Sequence, residues 1–79
     1  MSPDKLVYMA NQIGLFFASN GHDTAVPAIS NHIAKFWEPR MRKEIYAHLA
    51  RGGDGLDPLP KEAIENLQRK DTAGAAAAK

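Results

Sequence analysis

Three histidines, nine carboxylates, a few serines and a short run around the single tryptophan are the side chains on which chemistry could be built. His22, His32 and His48 stand 10 and 16 residues apart. Two helical histidines reach one metal ion when they are three or four residues apart, and no such pair exists here. Asp54, Asp57, Glu62 and Glu65 do not alternate as the ligands of a calcium loop do, and Asp57 is better used as a helix cap. Ser2, Ser19 and Ser30 have no histidine placed nearby to activate them. Gly52-Gly53-Asp54-Gly55 lacks the preceding strand that a phosphate-cradling loop requires. The chain does not read as an enzyme by itself.

The densest chemistry is Lys35-Phe36-Trp37-Glu38-Pro39-Arg40-Met41-Arg42-Lys43, which sets the only tryptophan, a helix break and four cations within nine residues. Tryptophan and arginine are the types most enriched in binding hot spots. Two readings stay open: Trp37 closes a small core, or it packs and also meets a partner. Glu38 with Arg42, and Arg40 with Glu44, have the i,i+4 spacing of helical ion pairs. A DNA-binding corner is the remote third reading. From Lys35 to Arg51 five basic residues stand against two acidic ones, but Arg40 and Arg42 project about 160° apart on a helix, whereas a recognition helix gathers its readers on one face.

The elements that position these groups follow from caps and periodicity. Ser2 caps a first helix, with Pro3 at its first position and Asp4 in its first turn, and the helix runs to about Asn20 before Gly21. Leu6, Met9, Ala10, Ile13, Phe16 and Phe17 form its core stripe, while Tyr8 and Leu15 project from the far side. A second helix runs from Asp23, its expected N-cap, to Trp37, with Ala25, Val26, Ile29, Ile33 and Phe36 inward. A third opens at Pro39 and closes before Gly52. A fourth starts at Pro58, capped by Asp57, and continues to about Lys70. The spacing predicts an all-α fold: a small single monomeric domain over 1–70 of about four short helices, followed by a disordered Ala-rich tail over 71–79.

Composition bounds the rest. A chain of 79 residues buries about 60–65% of its unfolded surface, which leaves stability marginal. With no cysteine, disulfides, thiolate zinc and iron–sulfur ligation by this chain are excluded, so a partner is the expected source of added stability. Ten basic against nine acidic residues supply no strong field for nucleic acid or lipid. No apolar run approaches the roughly 18–20 residues of a membrane span, and the first residues lack a charged stretch followed by an apolar one. A cytoplasmic location is expected.

Three segments in order carry a family resemblance: Tyr8-Met9-Ala10-Asn11-Gln12-Ile13-Gly14 with Phe16-Phe17, then Phe36-Trp37-Glu38-Pro39-Arg40-Met41-Arg42, then Gly52 to Leu59. Together they resemble the small delta subunit of NAD-dependent formate dehydrogenase, over about residues 3–68. Leu15 departs from the polar or small residue expected there. The resemblance implies a non-catalytic accessory subunit of a soluble complex that oxidises formate to CO2 and reduces NAD. It implies that other subunits hold a molybdenum or tungsten bis-pterin cofactor, iron–sulfur clusters and FMN, and that this chain binds none of them. The implied partner is the large catalytic subunit, with neither nucleic acid nor membrane as partner. The alternative is a transient assembly chaperone for cofactor insertion. The expected partner-binding residues are Tyr8 and Leu15 on the outer face of the first helix, with Trp37, Pro39 and Arg40 at the corner. Arg42 is assigned to an internal pair.

Overall fold

The computed structural model describes the backbone of residues 2–77 and the side chains of residues 2–72. Four helices follow one another: α1 Pro3–Ala18, α2 His22–Phe36, α3 Pro39–Ala50 and α4 Pro58–Ala77. No strand occurs among the described residues. The radius of gyration, 11.9 Å, matches the value of about 11.6 Å for a compact domain of this length. The most extensive packing joins α2 to α4, and α1 lies against the other three helices.

Each helix begins and ends for local reasons. The Ser2 hydroxyl accepts from the Lys5 amide at 3.3 Å, which satisfies one of the orphan donors of the first turn. Gly21, at φ 87°, separates α1 from α2 and is itself the N-cap; Asp23 lies inside the first turn instead of capping it. At the end of α3 the Gly53 amide donates to His48 O and the Gly52 amide to Leu49 O, both at 3.0 Å. That pair of bonds is a Schellman closure, and Gly52 supplies its positive φ. The Asp57 carbonyl accepts the first bond of α4 from the Lys61 amide at 3.0 Å.

The core contains Leu6, Val7 and Ala10 of α1, Ala25, Val26, Ile29 and Ile33 of α2, Ile45 of α3, and Ala63, Ile64 and Leu67 of α4, with Trp37. Of the other residues expected inward, Met9, Ile13 and Phe17 pack half-buried against this core, and two are exposed instead. Phe16 is 78% exposed and Phe36 69% exposed. The cause on α1 is a rotation that turns Val7 and Gly14 inward. Gly14 is buried against Pro60, where a Cβ would stand 2.9 Å from the proline Cδ, so only glycine lets α4 come this close. With that side seated, Phe16 is carried to the solvent edge. Ser30, the one buried polar residue among those described, donates from Oγ to Ala63 O at 2.7 Å and so satisfies itself between α2 and α4.

Helix α4 runs to Ala77, past the expected end at about Lys70. Alanine is the strongest helix former, and the extension is anchored at its start: the Tyr46 hydroxyl donates to Asp71 Oδ2 at 2.5 Å. Residues 78–79 of the expected tail lie outside the described residues.

Candidate functional site

The chemistry-bearing side chains are used as ties. Both ring nitrogens of His22 meet carboxylates, Nδ1 with Asp23 and Nε2 with Glu62, each at 2.9 Å. His48 Nε2 donates to Asp54 O at 2.7 Å. His32 stands apart from both, between Phe17 and Phe36. Among the described residues no three His, Cys, Asp or Glu side chains gather where they could hold a metal ion. No described helix is long and apolar enough to cross a membrane.

The His22 arrangement has a pH signature. Two carboxylate acceptors on one ring favour the imidazolium, and the hydrogen bond to Glu62, then that to Asp23, raise the His22 pKa above its ordinary value. Protonation is therefore bound more tightly in the folded chain. This contribution is complete below the unfolded value of about 6.5 and is lost as pH rises through the raised folded one. Thermal melting of the wild type should fall across that interval relative to His22→Gln, and parallel curves for the two proteins would refute the tie.

At the α2–α3 corner the structure divides the residues differently from the sequence reading. Trp37 is only 5% exposed. Its amide donates to Ile33 O at 2.9 Å and its extended backbone, φ −92° and ψ 133°, turns the chain so that the indole joins the core. So placed, the indole closes the small core, the first of the two readings its sequence left open. The aromatic that faces outward here is Phe36, while Pro39 and Arg40 are exposed as expected. Arg42 is internal, but not through Glu38. Its Nη1 donates to Trp37 O at 3.1 Å and Ala34 O at 3.4 Å, capping the carbonyl end of α2. Its Nε lies 3.4 Å from Asp71 Oδ2, an ion pair without hydrogen-bond geometry. Burial first, and then the bond to Asp71, hold the Tyr46 phenol well above its ordinary pKa, so it remains a donor.

What the ties leave free is surface. Tyr8 and Leu15, 64% and 65% exposed, occupy the outer face of α1 as the sequence reading placed them. Leu15 borders a shallow apolar depression of about 180 Å³ with Ala18, Pro58 and Leu59. Around the flank, Phe16 meets Phe17 edge-on at a centroid distance of 4.9 Å. Phe17 approaches His32 at 6.3 Å, and His32 meets Phe36 at 4.7 Å. This file of rings crosses from α1 to α2 beside a second depression of about 300 Å³ lined by Gln12, Ile13, Phe16, Phe17 and His32. Sequence reasoning missed Phe16 and Phe36 as surface groups because both fit a core stripe. The available signal was the apolar character of α1 on nearly every side.

These features define a small all-α domain with large apolar groups exposed on α1 and at the end of α2. The family model for the delta subunit of NADH-dependent formate dehydrogenase, FdsD, matches residues 5–64. The chain belongs to this family. No curated protein and no solved structure matches it. The matched span holds Tyr8, Leu15, Phe16, Phe36, Pro39 and Arg40, whereas Asp71 lies beyond it.

Proposed function

We propose that this chain is a non-catalytic accessory subunit that binds and stabilises the large subunit of a soluble, cytoplasmic NAD-dependent formate dehydrogenase. The observation that carries this reading is the exposure of Tyr8, Leu15 and Phe16 on one helix of a domain whose core is already closed. Burying a leucine or phenylalanine contributes roughly 1.5–3 kcal/mol, so a few such groups on a rigid helix supply the centre of an interface. Binding only the folded, loaded form of the large subunit stabilises that form by mass action. The molybdenum or tungsten bis-pterin cofactor, the iron–sulfur clusters and FMN belong to the other subunits in this reading. A chain without cysteine offers no thiolate to a cluster, and its histidines are dispersed over separate ties.

Affinity purification of the full chain from its native cells tests the reading. The eluate is expected to contain molybdenum or tungsten and to reduce NAD with formate. Recovery of the chain alone, without metal or activity, would overturn it. Recovery only with an inactive, cofactor-free large subunit would make the chain an assembly chaperone instead.

A further inference from the structure

Helix α3 carries a second surface, of opposite character to the apolar face. Arg40, Ala47 and the C-cap residue Arg51 fall within about 40° of one another around the helix, with Lys43 and Glu44 flanking them. The five residues line one groove of about 380 Å³. Arg40, Lys43 and Arg51 are exposed, and none makes an ion pair among the described residues. Three cations along about 16 Å of helix, opposed by one carboxylate, concentrate positive charge on a chain whose net charge is only +1.

Within the domain the Arg40 end of the stripe works against α3, whereas Arg51 at the C-cap suits the helix dipole. The first turn holds no acidic residue, Glu38 makes no side-chain capping bond, and Arg40 sits at the positive end of the helix dipole. The cations repel one another along the stripe, and Ala47 leaves a low centre between them. An acidic polypeptide segment answers each of these features. Its carboxylates would pair with the two guanidinium forks and the Lys43 ammonium, and its backbone could approach over Ala47.

We infer that the Arg40–Lys43–Arg51 stripe docks a segment rich in aspartate and glutamate on another subunit of the formate dehydrogenase. This rests on the chain being a bound subunit, and adds a charge-steered contact to the apolar one. Nucleic acid is a poorer occupant, since three cations give little counterion release and Glu44 in the groove, with eight acids elsewhere, repels phosphate.

The test uses the complex purified through the full chain and a zero-length carbodiimide, which joins an amine to a carboxylate in contact with it. Lys43 is expected to couple to an acidic residue of another subunit. The Arg40→Glu/Arg51→Glu variant, with unchanged circular dichroism, should be retained on the order of tenfold or more weakly at low salt. Retention equal to wild type at every salt concentration, with Lys43 uncoupled, would overturn the stripe while leaving the subunit reading intact. Release of the chain by nuclease treatment would also overturn it, in favour of nucleic acid. A wild-type chain that brings down no dehydrogenase subunit would defeat the subunit reading itself, and this inference with it.

Discussion

Trp37→Ala is expected to destabilise the isolated domain by about 3–5 kcal/mol, the cost of truncating a buried aromatic and leaving a cavity. A domain of 79 residues has on the order of 4–12 kcal/mol of stability, so this variant would lose a large share of it and, at the low end of that range, unfold. Denaturant titration followed by circular dichroism measures the loss. Arg40→Ala, three residues away, should change stability by no more than about 0.5 kcal/mol, because its side chain is exposed and unpaired among the described residues. The contrast separates the two halves of the corner. If Trp37→Ala melted like the wild type, the indole would not be the closing group of the core.

Leu15→Glu should leave the fold intact and weaken retention of the chain in the enzyme complex. Leucine and glutamate have similar helix propensities, and a side chain 65% exposed leaves little packing behind. Losing the burial of one leucine at an interface corresponds to roughly tenfold to a hundredfold in affinity, before the added cost of burying a carboxylate. Phe16→Glu is the companion variant on the adjoining flank. Thermal melting should show both variants folded, and a pull-down should show the large subunit reduced. Wild-type retention of both would make these residues ordinary exposed apolar surface, which is common on soluble proteins.

The helices were legible because their boundaries depend on neighbours in sequence. Ser2 before Pro3, Pro39 after Glu38, Gly52 after Arg51 and Pro58 after Asp57 act through backbone conformation, and each marks an observed end. The inner stripe of α2 was legible for a similar reason: Ala25, Val26, Ile29 and Ile33 leave one arc to bury. The rotation of α1 was not. It follows from Gly14 meeting Pro60, a contact between helices that no periodicity encodes. The burial of Trp37 with Phe36 left outside depends on a single extended residue at the end of α2, which reverses the two faces relative to a continuing helix. The tie from Tyr46 to Asp71 spans 25 residues and has no local signature, so the length of α4 was set too short.

The Asn11 side chain joins parts of the domain that are made at different times. Its Nδ2 donates to Gly55 O at 3.0 Å, and its Oδ1 accepts from the Asp57 amide at 2.9 Å. Those partners lie 44 and 46 positions later in the chain, and the Ser30 bond to Ala63 spans 33. During synthesis α1, α2 and α3 therefore emerge with their inner faces uncovered, since α4 supplies the surface on which α2 packs most extensively. Non-local closure of this kind is slow compared with helix formation. The domain closes as a unit only once Ile64 and Leu67 have left the ribosome. A fragment ending in the glycine loop would retain helical segments without a fixed core, and the α1 face carrying Leu15 would lose its rigid setting.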